Sequence, residues 1–250
     1  MSTLTPCPPS NRARLNLERT RATLIDTNSR EESSSHLWFK CRHPDIRCPI
    51  QTFLYKAIHG AFRIGNFWND IPQLAHRAHC ASCNESPETL EHILIDCDNT
   101  ATSTIWRLAK QTWPNAFGLW PDIQLSLILG CGSIALPHQD DESTIRSPSR
   151  LLRILISESA HLIWVLRCER TIQGLNHLAD AIKTRWKNKI DQRINIDCHI
   201  ATIYNRKPIM RKLVKDTWQA ALLERLPSLE EDWITNLEVL VGITLTRSPT

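Results

Sequence analysis

The stretch HCASCNESPETLEHILIDC, residues 79–97, holds the most specific pattern in this sequence. Cys80 and Cys83 are separated by two residues, and His92 and Cys97 follow within the next fourteen positions. Two cysteines at this spacing can direct their sulfur atoms from one tight turn to a single centre, and zinc takes four nitrogen or sulfur ligands in a tetrahedron. The spacing therefore predicts a metal site whose ligands are Cys80, Cys83, His92 and Cys97.

Helix geometry limits how the second pair of ligands can reach this site. Residues 86–88, Ser-Pro-Glu, have the pattern of a helix start, with a capping oxygen, a proline for the first turn and a carboxylate. His92 and Cys97 are five positions apart, which is about 140° around an ideal α-helix. Both side chains converge only if the helix ends near Asp96 and the chain turns there.

A structural role fits this ligand set better than a catalytic one, because four protein ligands leave no coordination position for water. The sequence contains neither a His-Glu-x-x-His pattern nor the His-x-Glu and Pro-Cys-x-x-Cys patterns of zinc deaminases. We expect zinc to cross-link a segment that buries little apolar surface of its own, so that the free energy of metal binding contributes to the free energy of folding. His76 and His79 are alternative ligands. Ordinary turn cysteines beside a surface histidine are the alternative interpretation.

The cysteine count and the N-terminal residues indicate the cellular compartment of the protein. The chain has nine cysteines, an odd number, and its N-terminus lacks the basic start and apolar run of a secretory signal. These features predict a reducing, intracellular location, nuclear or cytoplasmic. The most apolar run, residues 151–168, is interrupted by Arg153, Glu158 and Arg167 and is too polar for the centre of a bilayer. We predict that this run is a buried helix and that the protein has no membrane partner.

Composition and periodicity predict a mainly α protein. Seven glycines among 250 residues and the lack of apolar–polar alternation argue against an all-β fold. The apolar positions recur at helical spacing from Pro49, with Gly65 beyond the end of that helix. Further helical patterns lie at 103–113, 122–130, 150–170, 178–190 and from Pro208. Ser149 is the expected N-cap of the helix at 150–170. The tryptophans within these apolar patterns are predicted to lie in the core, namely Trp106, Trp164, Trp186 and Trp218.

The chain is expected to have four parts. They are a polar and basic N-terminal segment at 1–35, a helical region with the metal motif (80–97) at 36–132, a linker at 133–149 and a helical C-terminal region at 150–250. Within the first part, residues 11–30 could form an arginine-rich helix, but Leu15, Leu17 and Leu24 are too scattered to define one apolar face.

One longer stretch is similar to a known family. HPDIRCPIQTFLYKAIHGAFRIGNFWNDIP at 43–72, with the cysteine–histidine set that follows it, resembles the zinc-binding segment after the polymerase in non-LTR (LINE-like) retrotransposon polyproteins. The likeness covers residues 36–113, and LISESAHLIWVLRCER resembles the continuation in fungal copies. The resemblance implies a zinc-braced accessory module that contacts RNA or DNA, with Cys80, Cys83, His92 and Cys97 as the zinc ligands.

The sequence departs from the full polyprotein in its catalytic motifs. It has no Tyr-x-Asp-Asp polymerase motif and no set of four carboxylates that a ribonuclease H uses to hold two metals. Asp140 and Asp141 are interpreted as a solvated turn. The expected protein is therefore a C-terminal fragment without catalysis or small-molecule substrate, whose partners are nucleic acid and other domains of the parent polyprotein.

Basic helices in the C-terminal half are the candidate contacts for nucleic acid. The formal net charge is only +4, so local clusters carry this hypothesis. Lys183, Lys187, Arg211 and Lys212 would bind phosphates without reading sequence. The alternative is a zinc-braced scaffold for protein–protein interaction, in which these residues lie on ordinary solvated helix faces.

An enzymatic alternative would use Cys168 as nucleophile and His161 as base. Seven positions along one helix separate them by about 10 Å, too far for a hydrogen bond, which argues against this alternative.

Overall fold

The computed structural model describes residues 10–137, 146–203, 208–224 and 233–234. Across these ranges the chain forms eight α-helices and no β-strand, so the mainly α prediction is confirmed. The helices are α1 (Asn11–Asn28), α2 (Ser34–Lys40), α3 (Cys48–His59), α4 (Thr100–Thr112), α5 (Leu125–Leu129), α6 (Arg146–Gln173), α7 (Ala179–Ile203) and α8 (Pro208–Leu223). Short 3₁₀ turns lie at Gly65–Trp68, Pro72–Ala78, Asn115–Phe117 and Cys131–Ser133, and a π-turn lies at His92–Asp96.

Helix α6 is the central element of the core. It contacts α3, α4, α5, α7 and α8, as well as the π-turn. Its apolar residues occur on nearly all sides, which is typical of a helix enclosed by other helices. The buried helix predicted at 151–168 is therefore confirmed. Within the described ranges, no helix is both long enough and apolar enough to cross a membrane.

The start of α6 differs from the prediction. The helix begins at Arg146 rather than at 150, so Ser149 lies inside it and is not the N-cap. The Ser149 hydroxyl instead accepts a hydrogen bond of 2.9 Å from the backbone N–H of Leu136. The Ser149 hydroxyl therefore holds the chain segment at Leu136 beside the first turns of α6, instead of capping the helix. Asp140 and Asp141 lie outside the described residues.

Helix α1 has a buried face that the sequence interpretation missed. Leu15 is exposed, but Leu17 and Leu24 are buried on one stripe that also contains Ala13, Thr20 and Asn28. The three leucines therefore do not share one face, as predicted, but α1 still has a buried face, which a small residue and two polar residues complete. Asn28 donates to the carbonyl of Ser133 and accepts from the N–H of Ala135, at 2.9 and 2.8 Å. This helix packs on α3 and α5.

Helix α3 has the predicted proline in its first turn, and Gly65 lies beyond its end as predicted. Gly60, in the left-handed region at φ +61°, is the C-cap. Gly65, also left-handed at φ +53°, is buried against Pro87 and Glu88 of the metal motif. A Cβ atom at Gly65 would lie 2.5 Å from the backbone oxygen of Glu88. Gly65 therefore sets how closely the 3₁₀ turn approaches the metal motif.

Gly65→Ala is expected to destabilise the fold. A left-handed alanine costs about 1–2 kcal/mol, and the overlap with a backbone carbonyl adds about 1–3 kcal/mol. Urea unfolding followed by circular dichroism would measure this change. Gly174→Ala is the control, because Gly174 is also left-handed, at φ +69°, but a Cβ atom there would have no neighbour within 4 Å. Equal losses for the two variants would mean that Gly65 has no packing role.

The C-terminal helices follow the predicted apolar periodicity with two changes. Ile182, Trp186 and Ile190 are buried along α7, but Leu178 lies before the helix and is 83% exposed. Helix α7 continues to Ile203, beyond Ile190, the last apolar position of the predicted repeat. Helix α8 begins at Pro208 as expected, and its buried face contains Val214, Trp218, Ala221 and Leu222.

A buried charge network joins these helices to the loop before α3. Asp197 on α7 accepts 2.8 Å hydrogen bonds from the Arg150 guanidinium and from the Trp218 indole N–H. Arg150 also donates to Asp45 at 2.9 Å, and Arg153 donates to the other oxygen of Asp45 at 3.0 Å. Because buried charges are costly unless they are paired, this network holds α6, α7 and α8 in one arrangement.

Candidate metal centre

The first two candidate ligands lie on a tight turn. Asn84 donates its backbone N–H to the carbonyl of Cys80, and Cys80 donates to the carbonyl of Glu85, both at 2.9 Å. Asn84 has φ +63°, a conformation that asparagine tolerates better than most residues. The backbone N–H of Ser82 points at the Cys80 sulfur, 3.4 Å away. The turn therefore supplies both thiols and a donor that stabilises a thiolate.

The other two ligands lie at the two ends of the π-turn. The Thr89 hydroxyl accepts a 3.0 Å hydrogen bond from the N–H of His92 and caps this helical segment. The predicted start at residues 86–88 was therefore wrong, because the cap is three residues later. Glu88 lies before the helical segment and is buried. The predicted end near Asp96 is confirmed.

The π-turn explains how His92 and Cys97 converge. The N–H of Cys97 donates to the carbonyl of His92 at 2.9 Å, a hydrogen bond between residues five apart. This bond is the mark of a π-turn, whose extra residue per turn brings position 97 back over position 92. In an ideal α-helix these positions would diverge by about 140°. The local widening of the helix is thus the geometric requirement for the second ligand pair.

The four ligand atoms form a compact cluster. The Sγ atoms of Cys80 and Cys97 are 3.6 Å apart, those of Cys83 and Cys97 are 3.9 Å apart, and Nε2 of His92 is 3.2 Å from Sγ of Cys83. All four atoms lie within 4.8 Å of one another. A tetrahedral zinc with bonds of about 2.3 Å to sulfur and about 2.0 Å to nitrogen requires separations of roughly 3.5–3.8 Å. The three distances lie near this range, so the cluster could hold a metal ion.

The structure brings together the four predicted ligands and not the alternatives. His76 and His79 lie in and just after the 3₁₀ turn at Pro72–Ala78, and neither belongs to the cluster. Cys80, His92 and Cys97 are buried, whereas Cys83 lies at the surface. An ion would thus be enclosed on most sides and reached from the side of Cys83.

The thiols of the cluster have unequal proton affinities. Burial raises the pKa of Cys80, but N–H donors from Cys83 and Ser82 and contacts with His92 and Cys97 outweigh it, giving a pKa of about 7. Burial raises the pKa of Cys97 to about 11, although donors from Asn99 oppose this shift. Of these two thiols, Cys80 is therefore the first to become a thiolate as the pH rises, and metal binding must displace a proton from Cys97.

A buried ion pair attaches the metal motif to the central helix. Glu88, which is 2% exposed, pairs with the guanidinium of Arg167 on α6, which is 5% exposed. The Arg167 guanidinium also lies 5.6 Å from the ring centroid of Trp164. Sequence reasoning missed Glu88 and Arg167 as positioning residues, since they are 79 positions apart and no local pattern links them.

Side chains of helix α4 donate hydrogen bonds to backbone carbonyl groups of the π-turn. The indole N–H of Trp106 donates to the carbonyl of Leu94 at 2.7 Å, and the Thr102 hydroxyl donates to the carbonyl of Ile93 at 3.3 Å. Side chains from α4 thereby satisfy backbone oxygens that are not in a regular α-helical pattern.

All four of the predicted core tryptophans, among them Trp106, are buried or partly buried as expected.

The exposed side of the cluster is acidic. A surface cavity beside Cys83 and His92 is also lined by Glu85, Asp96 and Asp98. Three carboxylates at this opening would repel the phosphates of a nucleic acid. Any contact with a nucleic-acid backbone is therefore favoured on other surfaces of the protein.

The four predicted phosphate-binding residues lie on α7 and α8. Lys183 and Lys187 are half-buried and one turn apart on α7, and the Lys183 ammonium pairs with Asp180 at 2.8 Å. Arg211 is half-buried and Lys212 is exposed in the first turns of α8. These positions keep their charges near the surface but do not by themselves define a binding groove.

Cys168 and His161 both lie on α6 and have environments that oppose catalysis by this pair. Burial lowers the pKa of His161 to about 4, and its ring contacts Phe53 edge-on at 5.6 Å. Burial also raises the pKa of Cys168. The raised pKa of Cys168 disfavours its thiolate, and the lowered pKa of His161 disfavours its imidazolium form. A cysteine nucleophile paired with a histidine base needs both of these forms.

Comparison with known proteins adds no relative to these observations. No family model, no curated protein and no solved structure matches this chain.

Proposed function

We propose that this chain is a non-catalytic zinc-binding module of a non-LTR retrotransposon polyprotein, which contacts RNA or DNA through basic helix surfaces. The observation that carries the proposal is the cluster of three thiols and one imidazole within 4.8 Å. The resemblance of residues 36–113 to the zinc-binding segment of those polyproteins supports the assignment. The polymerase and nuclease chemistry would belong to other domains of the polyprotein.

Zinc has a structural role in this proposal. Three thiolates and one imidazole complete a tetrahedron and leave no position for a water molecule or a substrate. Bound zinc would join the turn at Cys80 and Cys83 to the π-turn at His92 and Cys97. This cross-link compensates for the small amount of apolar surface that the segment itself can bury.

Nucleic-acid binding is supported by basic residues on α7 and α8. Lys183 and Lys187 on one helix and Arg211 and Lys212 on the next could neutralise phosphates and release the counterions around them. Such contacts give affinity without sequence preference. The acidic opening of the metal cluster is consistent with zinc bracing the fold while other surfaces contact the nucleic acid.

Neutralising these residues is expected to weaken binding and reduce its dependence on salt. The double variants Lys183→Gln/Lys187→Gln and Arg211→Gln/Lys212→Gln should each lower the slope of log K against log salt by about 1.5. Fluorescence anisotropy with a labelled single-stranded oligonucleotide, measured over a range of salt concentrations, would determine that slope. Arg107→Gln/Lys110→Gln on α4 removes two exposed charges and serves as the control. Absent binding at low salt, or equal effects of all three variants, would contradict the proposed contacts.

A zinc-braced scaffold for another protein is the second candidate function. It is favoured by three exposed apolar side chains around the turn between α6 and α7, namely Ile172, Leu175 and Leu178, at 63%, 50% and 83% exposure. The pairing of Lys183 with Asp180 is also what an ordinary solvated helix face would show. Co-purification of a stoichiometric protein partner without nucleic acid would favour this function.

A further inference from the structure

We infer that α2 and α3 carry a stacking surface for unpaired bases of single-stranded nucleic acid. This inference rests on the proposed nucleic-acid contact and places part of it on residues outside α7 and α8. The surface, called the aromatic surface below, consists of Trp38 from α2 and Tyr55 and His59 from α3. The rings of Trp38 and His59 stack at 4.7 Å, Tyr55 lies 4.6 Å from His59, and Trp38 lies 5.5 Å from Tyr55.

The aromatic surface lies on the side of α3 opposite to its core face. The core face contains Ile50, Phe53, Leu54, Ala57 and Ile58, all at most 4% exposed. Tyr55 is 49% exposed on the other side, while Trp38 and His59 are half-buried. The three rings therefore form one contiguous patch, of which Tyr55 is the most accessible member. Bases have apolar faces of similar size and can stack on such rings.

Basic residues outnumber acidic residues in the segment that carries the aromatic surface. From the start of α2 to the end of α3, residues 34–59 contain four lysine or arginine residues and one acidic residue, Asp45. The Asp45 carboxylate is bound to Arg150 and Arg153, so it offers little negative charge to the surface. The exposed basic residues in this range are Arg42 and Lys56.

Two basic residues neighbour the ring-bearing residues, one along the sequence and one through a contact with Gly60. Lys56 follows Tyr55 directly and is exposed. The exposed Arg12 of α1 lies against Gly60, the residue after His59, since a Cβ at Gly60 would be 2.0 Å from the Arg12 Cδ. Accessible rings flanked by cations are the combination that binds single strands, with stacking on the bases and ionic contacts to the backbone.

The rings of the aromatic surface and the cations beside them are together expected to bind unpaired strands more tightly than duplexes. In a duplex the base faces are covered by neighbouring bases, so only the backbone contacts would remain. Loss of one stacked base corresponds to about a 5- to 150-fold weaker affinity. Substitutions in the aromatic surface are therefore expected to lower the affinity without changing its dependence on salt, because stacking does not release counterions. Substitutions of the basic residues are expected to reduce the dependence on salt.

The test uses the full chain and a labelled mixed-sequence oligonucleotide of about 20 nucleotides, long enough for one single-strand site. Tyr55→Leu keeps an apolar side chain but removes the ring, and it should weaken binding at least about 5-fold with an unchanged salt slope. Lys56→Gln should instead lower the salt slope by about 0.7. Phe117→Leu is the matched control, because Phe117 is a half-buried ring that contacts Trp113 in a separate cluster. Circular dichroism would verify that all variants are folded.

The outcomes separate this inference from the proposed function. If the native chain binds but Tyr55→Leu matches Phe117→Leu, or if a duplex of the same length binds as tightly as the single strand, the aromatic surface is not a base-stacking site. The proposed contacts on α7 and α8 would then stand alone. If the native chain binds no oligonucleotide at low salt, both the inference and the proposed nucleic-acid contact are overturned.

Discussion

Cys97→Ser is expected to abolish metal binding and to unfold the segment that contains the cluster. Cys97 is buried, and its sulfur lies 3.6 and 3.9 Å from those of Cys80 and Cys83. Structural zinc in comparable small sites contributes an apparent binding free energy of about 10 kcal/mol or more, and a hydroxyl is a poor replacement for a thiolate ligand. Native mass spectrometry should find about one zinc in the native chain and none in the variant.

Chelation of the native chain provides the companion measurement. Removal of the metal is expected to reduce the far-ultraviolet circular dichroism signal partially, because the metal segment and its neighbours lose order while apolar burial still holds much of the core. Cys48→Ser is the matched control, since Cys48 is an exposed cysteine outside the cluster. Zinc retained in Cys97→Ser, or a folded native chain without metal, would mean that the cluster is not a zinc site.

Asp197→Ala is expected to lower the free energy of unfolding by about 3–5 kcal/mol. Asp197 is 1% exposed and accepts hydrogen bonds from Arg150 and Trp218, and the Arg193 guanidinium lies 3.2 Å away. Its removal leaves buried cations with too few anionic partners and an indole N–H without its acceptor. Urea unfolding monitored by tryptophan fluorescence would measure the loss.

Asp180→Ala is the matched control for this experiment. Asp180 also pairs with a basic residue on α7, but its side chain is 91% exposed. Water and ions screen such a pair, so its removal should change the stability very little. A loss for Asp197→Ala no larger than that for Asp180→Ala would show that the buried network does not stabilise the arrangement of α6, α7 and α8.

The metal ligands could be predicted from the sequence because their relation is local. The spacing between Cys80 and Cys83 permits one tight turn, and the five-residue separation of His92 and Cys97 already required an interruption of regular helix. The structure supplies that interruption as a π-turn, which spacing alone did not identify. The acidic character of the opening was also present in the sequence, as Glu85, Asp96 and Asp98 beside the ligands, but its relation to the cluster depends on the fold.

Features that depend on distant partners could not be predicted in the same way. Ser149 has the sequence environment of an N-cap, but the N–H that it binds belongs to Leu136, on a passing chain. Glu88 has the pattern of a first-turn carboxylate, but its partner Arg167 is on the central helix. In α1, counting leucines alone missed a face that Ala13 and Thr20 help to form. Each error concerns a residue whose local chemistry permits several roles and whose tertiary partner selects one.

The ion pair between Glu88 and Arg167 has a consequence for the protein as a whole. Because one partner belongs to the metal motif and the other to α6, the site and the core are energetically linked rather than independent units. A ligand that binds only the folded state increases stability by RT ln(1 + [L]/Kd), so a metal ion held by the cluster would shift the folding equilibrium of the chain. The fraction of folded protein would then depend on the availability of that metal, and its scarcity would leave more of the protein open to proteolysis.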